Sequence, residues 1–159
     1  MQPVNSEPKS PVIVIDTREQ KPFRFEGAVT KALSTGDYRV EGLENIISVE
    51  RKSLSDLLGC IGQGRERFER ELQRLSAMPY PALVIEASLA EVLRGTRHTS
   101  AHPSSILGSL VSWSWKYKVG IWFCGNRDLA QMVTERLLIK AAQYATQDQQ
   151  GGLDMPRTT

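Results

Sequence analysis

The stretch Gly36-Asp37-Tyr38-Arg39-Val40-Glu41, followed after Gly42 by Ile46-Ile47-Ser48-Val49-Glu50-Arg51-Lys52, decides the fold of this chain. Both halves alternate apolar and polar residues, which predicts the two strands of a hairpin. A four-residue loop over 42–45 sets Glu41 against Ile46, Val40 against Ile47, Tyr38 against Val49 and Asp37 against Glu50. Side chains alternate faces along a strand. Tyr38, Val40, Ile47 and Val49 therefore share an apolar face, and Asp37, Arg39, Ser48, Glu50 and Lys52 share a polar one. A slip of one residue mixes the two sets, so the pattern fixes the register.

This register sets two carboxylates, Asp37 and Glu50, with Cβ atoms about 4.5–5.5 Å apart. Like charges that close are tolerated when a cation sits between them or one carboxyl keeps its proton. All-oxygen donors favour hard ions such as Mg²⁺ or Mn²⁺ over Zn²⁺. Lys52 lies on the same strand face as Glu50, and Asp16, at the end of another apolar run, is a third candidate carboxylate. A divalent ion, carboxylates and a lysine are the equipment for phosphodiester hydrolysis.

Outward from the hairpin, Val12 to Ile15 is a β-branched run suited to a strand buried on both faces. Val29–Leu33 is a weaker strand. Ser53 to Leu75 reads as helix, kinked or broken at Gly62-Gln63-Gly64. Then follow a strand at Ala82–Ile85, a short helix at Ser88–Leu93, a helix at Ser104–Lys116, a strand at Val119–Phe123 and a helix at Asp128–Tyr144. Strands first, then helix and strand in alternation, predict an α/β fold with a central mixed sheet flanked by helices.

The 159 residues are one domain's worth, and 40% hydrophobic with 24% charged excludes a globally disordered chain. No apolar run approaches the ~18–20 residues that span a bilayer, and 1–11 carry no apolar leader. Cys60 and Cys124 match no metal or disulfide spacing and read as reduced thiols. Twenty Lys and Arg against eighteen Asp and Glu leave +2, which does not announce a nucleic-acid partner. Residues 1–10 and 146–159 read as flexible tails around a domain over 11–145.

The fuller string is more specific than the hairpin. Val14-Ile15-Asp16-Thr17-Arg18-Glu19, Gly36-Asp37, Glu50-Arg51-Lys52 with Asp56 four residues on, and Gly64-Arg65 together resemble the XPF (ERCC-type) nuclease domain and its GDx(n)ERKx3D motif. Ala82 to Glu86 and Ile106 to Phe123 extend the likeness, which covers about 12–144. The resemblance implies a restriction-endonuclease-like (PD-(D/E)xK) three-layer fold and metal-dependent cleavage of branched DNA such as flaps, forks or recombination junctions, in repair or recombination. It implies Asp37, Glu50 and Asp16 as Mg²⁺ (or Mn²⁺) ligands, with the Arg51 carbonyl as a further donor, and Lys52 as the catalytic lysine. Arg51 joins the catalytic set, Arg18, Glu19 and Asp56 support it, and Arg65 and Arg39 contact DNA. A homodimer through the C-terminal half, or a separate DNA-binding partner, goes with this reading. So does a cytoplasmic location in a bacterial or phage source, or a nuclear one in a eukaryote.

Two features depart from the family. Only Gln20 to Ala28, with Pro22, is available for the helix that usually joins the first two strands, and the length leaves no room for the helix-hairpin-helix modules that many members append. Other readings stand beside the nuclease: a non-catalytic scaffold, or a phage or mobile-element nuclease of simpler specificity. Arg51 is either a site residue or a structural guanidinium. Ser53 to Asp56 fits a helix cap as well as site support. Arg65, Arg67, Arg70 and Arg74, interleaved with Glu66, Glu69 and Glu71, fit a solvated helix face. Trp113, Trp115, Tyr117 and Trp122 are either core and interface or a stacking platform. His98 and His102 lack further metal ligands nearby.

Overall fold

The computed structural model describes residues 9–95 and 99–151. The hairpin forms in the expected register. β3 (Tyr38–Val40) runs antiparallel to β4 (Ile47–Lys52) with Tyr38 opposite Val49. β1 (Ile13–Asp16) lies antiparallel on the other side of β3, and β2 (Val29–Lys31) is parallel to β1 at the sheet edge. Beyond β4, β5 (Tyr80–Ile85) and β6 (Gly120–Phe123) continue in parallel, giving the mixed order β2-β1-β3-β4-β5-β6.

Parallel neighbours need crossovers, and helices supply two of them. α1 (Leu54–Ile61) and α2 (Arg65–Leu75) join β4 to β5, and α3 (Leu89–Arg94) and α4 (Pro103–Tyr117) join β5 to β6. All four pack on one face of the sheet, around Leu57, Phe68, Leu72, Ile106, Trp113, Leu83 and Ile85. α5 (Arg127–Gly151) covers the other face against Tyr38, Val40, Ile47, Val49 and Val84. The hairpin's apolar face is therefore core, as its alternation predicts.

The β1–β2 connection contains no helix, only turns and extended chain. It is pinned instead by Phe23, which is buried, stacks on Tyr38 at 5.2 Å between ring centroids and donates its backbone N–H to the Tyr38 hydroxyl. The helical break falls at 62–64 as expected. The C-terminal boundary does not: Ala141, Ala142 and Ala145 keep the apolar stripe of α5 on the sheet, and the helix then runs on to Gly151 with its last six residues exposed. The stretch expected as a tail from 146 is helical to that point, and residues 1–8 and 152–159 of the two expected tails lie outside the described residues. No described helix is long and apolar enough to cross a membrane.

Candidate active site

β4 carries the motif to the C-terminal end of the sheet, where its last three residues meet α1 and α2 at the rim of an open cleft of about 840 Å³. Asp37 is delivered by Gly36, whose φ of +73° turns the chain into β3. A Cβ at Gly36 would stand 2.0 Å from Ser48 Oγ, so only glycine fits there. Asp37 is then fixed from both sides: its N–H donates to the Val49 carbonyl at 2.9 Å, and its Oδ2 accepts the Arg51 N–H at 2.8 Å.

Asp37 and Glu50 face the same cleft. Burial, and then the neighbouring Glu50 charge, push Asp37 up to about 8, against the pull of the Arg51 N–H. Glu50 is likewise raised, by burial first, with Lys52 opposing the shift and Glu71 adding to it. Lys52 Nζ lies 3.2 Å from Glu50 Oε1 and 3.5 Å from Glu71 Oε2, above the Phe68 ring. Burial disfavours its charge, but Glu50 and then Glu71 outweigh that and keep it an ammonium.

Arg51 points to the opposite face of the strand. Its guanidinium donates to both oxygens of Glu19 at 3.1 and 2.8 Å and to Glu86 at 2.9 Å. Burial raises and Arg51 lowers the Glu19 pKa, and the balance is a depressed, firmly ionised carboxylate. Glu86 also receives Arg127, which donates in addition to the carbonyls of Lys21 and Pro22. Two carboxylates and two guanidiniums thus tie the β1–β2 loop to β4, β5 and the start of α5. Asp56 sits at the cleft rim, and its N–H donates to Ser53 Oγ, the cap of α1.

Three expected site residues lie elsewhere. Asp16 is buried but turned from the cleft: Oδ2 accepts Arg18 Nε at 2.9 Å and Oδ1 accepts the Leu33 N–H at 2.9 Å. Its carboxylate holds the loop after β2, and Arg18, 70% exposed, completes that clamp through the Leu33 carbonyl while lining the cleft. Arg39 does not reach the cleft or the surface. It is 2% exposed, and every guanidinium nitrogen is bonded inward, to Thr35, Glu44 or Ser34. Arg65 bonds Ser109 and lies over Trp113, and Arg67 lines the cleft instead.

The remaining alternatives resolve in the same way. Trp113 and Tyr117 are core, whereas Trp115 and Trp122 are exposed. His102 caps α4, its Nδ1 accepting the Ser104 N–H, and His98 lies outside the described residues. Both cysteines are free. Glu71, expected on a solvated helix face, instead turns toward Lys52 in the cleft, and Glu86 and Arg127, which carry no motif, join the Arg51 ion pairs. Glu71 stands three residues after buried Phe68, at the border of the apolar face of α2, and that phase is a signal for a side chain turned toward β4. Nothing local marks Arg127, which is brought in by tertiary packing.

The donors at the head of β4 fit a hard divalent cation. Both carboxylates are destabilised by burial, Asp37 further by the Glu50 charge, and Lys52 offsets this only at Glu50; a divalent ion supplies the remaining counter-charge, and all the donor atoms are oxygens. Among the described residues no three Asp, Glu, His or Cys side chains close into a metal cluster, so the set is a pair.

The family model "ERCC4 domain" matches residues 15–135, which include every cleft residue named above. No curated protein matches the chain. Among solved structures, XPF from Aeropyrum pernix superposes with a TM-score of 0.66 at 18% identity, over 88% of this chain and 69% of that one. A second structure of XPF from Aeropyrum pernix, in complex with DNA, gives a TM-score of 0.61 at 18% identity over 85% of this chain and 66% of that one. These likenesses establish the restriction-endonuclease-like fold, and with the match over 15–135 they place the chain in the ERCC4 domain family of nucleases.

Proposed function

We propose that the chain is a divalent-metal-dependent endodeoxyribonuclease that hydrolyses phosphodiester bonds in branched DNA. The observation that carries this reading is the meeting of Asp37, Glu50 and Lys52 in one open cleft. Asp37 and Glu50 would hold Mg²⁺ or Mn²⁺, which when bound lowers the pKa of a water and offsets charge on a phosphate. The Arg51 N–H keeps the Asp37 carboxylate aimed at the cleft. Lys52, held as an ammonium, offers its Nζ to the attacking water or to the charge that builds on the phosphate. Arg18 and Arg67 stand at the cleft with exposed side chains and suit flanking phosphates.

The proposed partner at the other end of the sheet is a second copy of the chain. On α4, Leu107, Val111 and Trp115 recur every four residues on one exposed face, with Trp115 78% exposed, and Leu89 of α3 lies beside them. Next to them β6 is an edge strand.

The test is cleavage of labelled flap, fork, four-way-junction and plain duplex DNA with Mg²⁺, Mn²⁺ or chelator. Wild type cuts branched substrates in a metal-dependent way, and Asp37→Asn loses about 10²–10³-fold in rate. Equal rates for the two proteins would sink the site, and equal cutting of plain duplex would remove the preference for branches.

A further inference from the structure

One carboxylate at the cleft has no part in the chemistry above. Glu71 projects from α2, and its Oε2 is buried without a hydrogen-bond partner. That oxygen lies 3.5 Å from Lys52 Nζ. The other, Oε1, is 3.8 Å from Nε of Arg67, whose side chain is 82% exposed. A pair so loose and so exposed contributes little, and does not explain why Glu71 is turned inward. Lys52 Nζ therefore sits between two carboxylates, Glu50 at 3.2 Å and Glu71 at 3.5 Å, with the Phe68 ring 5.0 Å away.

The two carboxylates differ in what else they face. Glu50 shares its cleft with Asp37 and belongs to the donor pair. Glu71 forms no three-carboxylate cluster with them. A cation that takes a Glu50 oxygen removes one partner of the ammonium and brings a second positive charge beside it. A charge in a half-buried place needs a counter-charge that stays. Glu71 Oε2 is the one acceptor besides Glu50 that the Lys52 ammonium meets among the described residues.

We propose that Glu71 is a positioning residue that retains the Lys52 ammonium when Glu50 is given over to the divalent ion, so that metal and lysine occupy the cleft together instead of competing for one carboxylate. The inference rests on the nuclease reading and deepens it.

The experiment is a double-mutant cycle read by Mn²⁺ calorimetry on the full chain: wild type, Glu71→Gln, Lys52→Gln and the double variant. With Lys52 present, Glu71→Gln leaves the ammonium to Glu50 alone, and Mn²⁺ affinity falls about tenfold. With Lys52→Gln already made, nothing competes for Glu50, and the same change costs less than about threefold. In cleavage assays at saturating Mn²⁺, Glu71→Gln lowers kcat about tenfold and leaves the KM for DNA unchanged. Equal losses of affinity in both backgrounds would mean that Glu71 acts on the ion directly, and would overturn the proposal. No loss in either would overturn it too. Glu71→Asp, which keeps the charge and withdraws it by one methylene, gives an affinity between wild type and Glu71→Gln, and serves if the glutamine variant does not fold. A wild type that binds no Mn²⁺ would sink the nuclease reading itself, a result distinct from a wild type that binds with an additive cycle.

Discussion

Gly36 sets where Asp37 stands. Its left-handed φ and the 2.0 Å approach to buried Ser48 Oγ leave no space for a side chain. Gly36→Ala is expected to destabilise the fold by about 2–3 kcal/mol, read by denaturant unfolding, and to lower the affinity for Mn²⁺ by displacing the carboxylate. Asp37 itself carries a pH signature. Its ordinary value is 3.8, and burial with Glu50 holds it at about 8 in the native protein. Between those values the native state binds more protons than the unfolded chain, so without metal stability falls as pH rises from about 4 through about 8. Asp37→Asn removes its share of that slope and leaves the share of Glu50, whose pKa burial also raises. It should raise the metal-free melting temperature near pH 9 on the order of 2 kcal/mol, or about 4–8 °C, and leave it unchanged near pH 4. Added Mn²⁺ should raise the melting temperature of the wild type and not that of the variant. A flat wild-type profile would contradict the burial of this carboxylate.

Between elements, the ion pairs of Arg51 and Arg127 do the work of the missing β1–β2 helix. Arg127 bonds Glu86 and the carbonyls of Lys21 and Pro22. Arg127→Ala is expected to speed amide hydrogen exchange over residues 17–24 while the β3–β4 hairpin stays protected. Glu86→Gln leaves two guanidiniums facing a neutral amide and should cost about 2–3 kcal/mol in unfolding free energy. This is also where legibility from sequence changes. The hairpin register and the Asp37–Glu50–Lys52 grouping follow from periods of two along contiguous residues, the mixed sheet follows from the order of the elements, and the structure has all three. Asp16 closes an apolar run and yet is turned away from the cleft, because the loop after β2 returns over it and takes one oxygen and Arg18 takes the other. Arg39 has the parity of the polar face, but the 34–35 segment closes over that face and buries it. Arg127 lies 76 positions from Arg51 along the chain, and no local pattern links them. What the sequence hides is what loops and distant elements do to a face after the strands have set it.

For the molecule as a whole, the exposed face of α4 beside edge strand β6 predicts self-association. Val111→Glu with Trp115→Glu should turn a dimer into a monomer in sedimentation, with the melting temperature little changed, since both side chains are already in solvent. An unaltered sedimentation coefficient would remove that face from the interface. The near balance of 20 basic and 18 acidic residues has a local counterpart. Arg18, Arg51, Lys52 and Arg67 line the cleft together with Glu19, Asp37, Glu50, Asp56 and Glu71, so the cleft is no more basic than the chain until a divalent ion adds its charge. The order of these parts along the chain has a further consequence. Asp37, Glu50, Lys52 and Glu71 fall within 35 consecutive residues, whereas Glu86, which accepts from Arg51, and Arg127, which joins it there, come later. A chain leaving the ribosome exposes its acids first and its clamp last. During synthesis the cleft residues therefore emerge before Arg127 can reach Glu86 and the carbonyls of Lys21 and Pro22, and the β1–β2 loop is clamped only once α5 has docked.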